Sequence, residues 1–279
     1  MVPVKLTGMT LRTSFSRLAL YHDCPLRYRY LEVERLPEPD VAPDWGRAPR
    51  LAGEMGTMPF DRAFGAAVHR ALRSWQEGVD AGAPADPRGL LEAVEVASRG
   101  LDAGHPDGHL SRALARIKPH LRAYAVGLWP RRRTLALEHA LTLCIADTGL
   151  EVELALRVDR AVAMLRGAAI LDFKTVSPHA AQRARDHWQL RTYALARGEL
   201  GIPSRARLRL VIIDLLGGRA VEVRAGAAEI DVARERLLRA ARGVAAADFR
   251  VATRPQRPCW SCGFRLTCPR SQATAPPAP

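Results

Sequence analysis

Apolar residues change their spacing along the chain, and each change predicts a different kind of element. Residues 14–36 read as a helix, with Ser14 as N-cap and Leu18, Tyr21 and Tyr28 at near-helical spacing. Residues 37–59 are rich in Pro, Gly and Asp, which predicts a loop or mobile insertion. Residues 61–77 and 88–129 return to helical patterning, broken around 80–87 and 104–108. The period then shortens. Residues 135–146, 150–165 and 168–175 alternate or run continuously apolar, which predicts three strands. A helix follows over 177–197, with Pro178 in its first turn. Residues 205–215 and 220–224 read as strands, and 230–248 as a last amphipathic helix. The tail after Arg270 reads as disordered. This order predicts an α/β core with a helical N-terminal elaboration. The divisions expected are 1–63, 64–134, 135–252 (the α/β core), 253–270 and the tail 271–279.

Composition narrows the picture. The 279 residues allow one elaborated domain or two small ones. No apolar run approaches the ~20 residues of a membrane span, and the N-terminus lacks the pattern of a signal peptide, so the expectation is a cytoplasmic protein away from membranes. The net charge of +13 suits a polyanion such as nucleic acid, although an Ala- and Arg-rich coding bias would give the same balance. Only Lys5, Lys118 and Lys174 are lysines. Five cysteines, an odd number, argue against a disulfide framework. Cys259, Cys262 and Cys268 crowd one end, Cys24 lies near the other, and Cys144, in a strand-like apolar run, is expected to be buried.

Chemistry concentrates where an apolar run turns charged, at Asp172-Phe173-Lys174. A strand projects Asp172 and Lys174 from one face and Phe173 from the other. A carboxylate beside an amine at a strand end suits a metal and a water, and is equally what a surface ion pair looks like. Asp159 lies in the preceding strand, so a turn near Gly167 brings it beside Asp172. Two converging carboxylates suit Mg²⁺ or Mn²⁺, unless Asp159 instead pairs with Arg157 or Arg160. His69 sits on a helix face that is otherwise apolar, where a satisfied, partly buried histidine is the plainer reading. Gln189 and Tyr193 share a helix face, as a lysine-orienting pair or as packing.

In that order, His69-x-x-Leu72, Asp159, Asp172-Phe-Lys174 and Gln189-x-x-x-Tyr193 resemble the PD-(D/E)XK nuclease superfamily, in its RecB/AddB-like branch. Ser14-Phe-Ser-Arg-Leu and Tyr21-x-x-Cys24-Pro25-x-x-Tyr28 resemble the start of that branch's nuclease domain, and the resemblance covers about residues 12–270. It implies a restriction-endonuclease-like core: a mixed central sheet flanked by helices. It implies that His69, Asp159, Asp172 and the Phe173 carbonyl bind the metal, that Lys174 positions or activates the attacking water, and that Gln189 and Tyr193 support the site. Glu138 is a secondary acidic contributor. The family often has glycine shortly before the Asp159 position, whereas this chain has Leu156-Arg157.

The resemblance also gives the cysteines a task. Cys24 with Cys259-x-x-Cys262-x₅-Cys268 is similar to the split set that holds a [4Fe–4S] cluster and staples the termini together in such nucleases. Four cysteines would equally hold a structural zinc. Trp260 and Phe264 would stack on bases or cover the cluster. No Gly-Lys-Ser/Thr step is present, so no ATP motor is built in and processive work would need a helicase or repair partner. The expectation is a metal-dependent deoxyribonuclease, an exonuclease on single-stranded ends serving repair or recombination. The rivals are a CRISPR-adaptation nuclease, a DNA-binding repair scaffold that no longer cuts, and a zinc-stapled binding protein.

Overall fold

A computed structural model describes residues 8–36, 59–101, 108–175, 184–250 and 262–269. In chain order the elements are β1 (Met9–Ser14), α1 (Phe15–Asp23), α2 (Pro25–Tyr28) running into a π-helical turn (Arg29–Val33), α3 (Pro59–Asp80), α4 (Pro87–Ser98) and α5 (His109–Val126). They continue with β2 (Thr134–Asp147), β3 (Leu150–Met164), β4 (Gly167–Lys174), α6 (Ala184–Leu195), β5 (Arg207–Asp214), β6 (Arg219–Val223), α7 (Ala227–Ala245) and a 3-10 turn (Gly263–Leu266). The chain divides into two units whose boundaries fall inside β2, β3 and α7.

The larger unit holds residues 53–141 and 156–233. A two-residue turn, Leu165-Arg166, folds β4 back antiparallel on β3, pairing Arg160 with Leu171. The chain then crosses through α6 to β5, which lies parallel to β4 with Asp172 opposite Ile212, and β6 closes the order as an antiparallel edge. This is a mixed sheet. A strand paired on both sides and covered on both faces is expected to be largely apolar, and Ala168 to Phe173 are all buried, with Asp172 the one charged residue among them. Gly167 starts β4 at φ 140°, where a Cβ would stand 2.0 Å from the Arg207 carbonyl oxygen, so no other residue fits without moving β5. Phe64, Val68 and Leu72 of α3 pack with Leu90 and Val94 of α4, Ile117 and Leu121 of α5, and the Leu171, Phe173, Val211 and Ile213 side chains of the sheet. Truncating one such leucine to alanine costs about 2–5 kcal/mol.

The smaller unit holds residues 1–52, 142–155 and 234–279. β1 pairs parallel with the first part of β3, Leu11 opposite Val152. Ser14 caps α1, its Oγ accepting from the Arg17 N–H at 3.4 Å. The Tyr21 hydroxyl donates to the Asp248 carbonyl, and Gly243 leaves room for it: a Cβ there would meet that hydroxyl at 2.1 Å. Asp147 receives Arg242 of α7.

The three central strands and the last helix lie within a few residues of the spacing read from the sequence. Three points differ. The expected helix over 14–36 breaks at Cys24, because Pro25 cannot donate to the preceding turn. β1 was not foreseen. Cys144 is exposed, correcting its expected burial: β2 pairs with β3 off the main path of the sheet, and its alternation buries Ile145 while turning Cys144 outward. The expected loop over 37–58, the start of the 177–197 helix and the tail lie outside the described residues. Among the described residues no helix is long and apolar enough to cross a membrane.

Candidate functional site

The β3–β4 hairpin builds the floor of the site. Its register sets Asp159 next to Asp172, and the Asp159 Oδ2 accepts the Phe173 N–H at 2.7 Å. Both carboxylates are nearly closed off, at 8% and 1% exposure. Burial pushes the Asp159 carboxyl above its ordinary value, opposed by the charges of His69 and Lys174 and by the Phe173 N–H. Strand alternation sends the Phe173 ring into the core beside Tyr124 and leaves its carbonyl facing the site.

α3 supplies His69. Its Nε2 lies 3.1 Å from the Phe173 carbonyl oxygen, and its Nδ1 lies 3.2 Å from Glu138 Oε1 and 3.6 Å from Asp159 Oδ1. All three neighbours accept, so a doubly protonated ring satisfies them best. Burial opposes that charge, but Asp159, Glu138 and Asp172 outweigh it and raise the imidazole to about 9. The imidazolium thus spans the oxygens that a divalent ion would bind.

Glu138 enters from β2 in an unusual conformation. Its φ of 43° lies in the left-handed region, uncommon for a residue with a Cβ and costing roughly 1–3 kcal/mol. A strand interrupted in this way re-aims one side chain, here onto His69. The apolar alternation Leu135, Leu137, Leu141, Leu143, Ile145 skips His139, and that skipped beat was the available signal.

The ligating atoms of His69, Glu138 and Asp159 lie within 4.8 Å of one another. Two ligands at about 2.1 Å from one ion stand at most about 4.2 Å apart, so the three fit a small divalent cation with modest adjustment. Of the residues expected to ligate a metal, Asp172 is outside this trio. Its Oδ2 is instead 2.7 Å from Lys174 Nζ. Lys174 also donates to Gln189 Oε1 at 3.0 Å, and Gln189 Nε2 donates to the Tyr193 hydroxyl at 2.6 Å. Burial pushes the Tyr193 phenol well above its ordinary value, reinforced by the charges of Asp172 and Asp159. A neutral tyrosine therefore orients the amide that orients the lysine. His69, Asp159, Asp172, Phe173, Lys174, Gln189 and Tyr193 converge in the larger unit.

Neither arginine offered as a partner of Asp159 takes that place. Arg157 reaches Glu138 at 3.9 Å. Arg160 is wholly buried and donates to the Trp129 and Arg132 carbonyls at 3.0 Å each, to Thr134 Oγ1 at 2.9 Å and to the Tyr124 hydroxyl at 3.2 Å. It ties down the segment that leads into β2, a role a charge-pair reading of the sequence does not suggest.

In the smaller unit, Cys24, Cys262 and Cys268 are half-buried and Cys259 lies outside the described residues. Burial raises the Tyr30 hydroxyl above its ordinary value. Among the described residues, Cys24, Cys262 and Cys268 do not bring their sulfurs together within ligating distance. Phe264 is buried and packs on Tyr30 with ring centroids 5.0 Å apart. It covers this region instead of standing open to bases.

The family model of the PD-(D/E)XK nuclease superfamily matches residues 12–269. Among solved structures the chain is similar to the crystal structure of SSO0001, at 15% identity and a TM-score of 0.43, over 94% of this chain and 86% of that one. No curated protein matches the chain.

Proposed function

The chain belongs to the PD-(D/E)XK nuclease superfamily, and from that premise we propose that it is a divalent-metal-dependent deoxyribonuclease of the RecB/AddB-like kind. The observation that carries the reading is the buried Asp159–Asp172 pair, held with His69 and Lys174 in one site. Two carboxylates are costly to keep together out of water unless cations are held with them, as His69 and Lys174 are here and as a divalent ion would be. His69, Asp159, Asp172 and the Phe173 carbonyl, with Glu138 beside them, would hold Mg²⁺ or Mn²⁺, which would supply Lewis acidity toward the phosphodiester. Lys174 holds the attacking water in line with the scissile P–O bond, and its ammonium offsets negative charge as that bond breaks. Gln189 and Tyr193 keep Lys174 aimed. Asp159 and His69 stay fixed through the Phe173 backbone.

The preferred mode is exonucleolytic digestion of single-stranded ends in repair or recombination, with a helicase or repair partner supplying motion. We further propose that Cys24, Cys259, Cys262 and Cys268 hold a structural [4Fe–4S] cluster. Their spacing in the sequence supports this. A cluster requires only the thiolates, and gives brown protein containing iron and sulfide where zinc would be colourless.

Digestion of end-labelled and circular DNA, single- and double-stranded, tests the activity. Release of label with Mg²⁺ or Mn²⁺ but not with chelator, and survival of the circles, are expected. Degradation of the circles would overturn the exonuclease mode, and inert DNA under every metal would overturn the nuclease reading.

A further inference from the structure

Two arginines from different elements stand at the rim of the carboxylate group, and the proposed chemistry uses neither. Arg157 precedes Asp159 by two residues on β3, so both side chains leave the strand on one face. It is 69% exposed, with Nη1 3.9 Å from Glu138 Oε2. Arg73 lies four residues after His69 on α3, one turn further along the same face. It lines the same small cleft as His69, Glu138, Asp159 and Phe173, and it feels the charge of Glu138. Its Nε rests 2.8 Å from Glu77 Oε1 at the surface. Exposed pairs of this sort add little to stability, so folding does not account for their position.

Electrostatics supplies a reason. Glu138, Asp159 and Asp172 present carboxylates that repel an incoming phosphate chain before any cation is bound. Guanidinium groups at the rim cancel that repulsion, and each offers a planar fork matched to a phosphate.

We propose that Arg157 and Arg73 are the two arms of a clamp that grips the phosphates flanking the scissile one and sets how a strand lies across the carboxylates. This rests on the nuclease reading above. The test measures binding of single-stranded DNA over a range of salt, with Arg157→Ala, Arg73→Ala and both together in an Asp172→Ala background that does not cut. Cleavage is measured with the same changes in the otherwise intact protein. Each lost arm is expected to weaken binding about three- to tenfold near 0.1 M salt and to flatten the log–log salt slope by about 0.7. In cleavage, KM should rise more than kcat falls. Arg157→Lys should keep the slope and lose part of the affinity, a result that a purely structural role would not give. Unchanged slope and affinity in the double variant, while the parent protein cleaves, would overturn the clamp and leave the nuclease reading standing. A parent protein that neither binds nor cleaves DNA would overturn that reading itself.

Discussion

The carboxylate site and the cysteine-bearing segments both draw on residues distant in sequence, yet they are carried by opposite kinds of backbone. His69, Glu138, Asp159, Asp172 and Lys174 sit on a long helix and three strands, where hydrogen-bonded register fixes their separations. Cys24 lies between two short helices, and Cys262 and Cys268 flank a single 3-10 turn. Geometry held by a ladder exists before any ligand arrives. Geometry held by turns depends on the ligand that joins them. Removing a metal from the carboxylates should therefore stop cleavage and spare the fold, whereas removing the proposed cluster should loosen the smaller unit.

The sharpest break in that comparison comes from Asp172→Ala, which should lower cleavage roughly 10⁴-fold, more than 5 kcal/mol of barrier. Its fold should be kept with a modest fall in melting temperature, because Lys174 loses its paired carboxylate while Asp159 loses a like-charged neighbour. Lys174→Arg should fail similarly, since a planar fork cannot replace a compact ammonium. Full activity in either variant, measured on end-labelled DNA, would remove the site assignment.

Next in size is cysteine replacement. A link between Cys24 and Cys268 encloses most of the chain and constrains its unfolded state by roughly 2–5 kcal/mol. Cys24→Ser or Cys262→Ser should lose the visible absorbance and lower the melting temperature by roughly 10 °C, while Cys144→Ala keeps both. Retained colour in Cys24→Ser would show that the thiolate set is a different one.

The smallest effect is protonic and belongs to the carboxylate site alone. The folded imidazole of His69 is raised to about 9, above its ordinary 6.5. Its contribution to the stability of metal-free protein is therefore fully present below pH 6.5 and lost as pH rises through about 9, on the order of 1–3 kcal/mol. Binding of Mn²⁺ near pH 7.5 needs a ring nitrogen free of its proton and should release one proton, measurable by calorimetry in buffers of different ionisation enthalpy. A flat stability profile with no proton release would show that His69 is already neutral.

Much of this was legible in the sequence because strands write their faces plainly. The run from Ala168 to Lys174, apolar and then charged, fixes where β4 is buried and where it exits, and Asp159 follows from one hairpin. β1 escaped notice: it is only six residues long, with exposed polar alternation, and its partner is remote in the chain. The left-handed turn of β2 at Glu138 shows in sequence only as a missed beat at His139. The role of Arg160 is not legible, because a charged residue beside an aspartate suggests a pair, whereas its donors are spent on carbonyls and hydroxyls.

The near-absence of lysine gives the carboxylate site a chemical address. An amine-acylating reagent has three side chains to find: Lys5, Lys118, which is 35% exposed beside Glu95 on the outer helices, and Lys174, only 16% exposed beside Asp172. Peptide mapping after brief acylation would read the pocket at one residue, with Lys118 as an internal clock for reagent dose. Any molecule that covers the carboxylates shields Lys174 and leaves Lys118 labelled, so inhibitors can be ranked by footprint without a substrate.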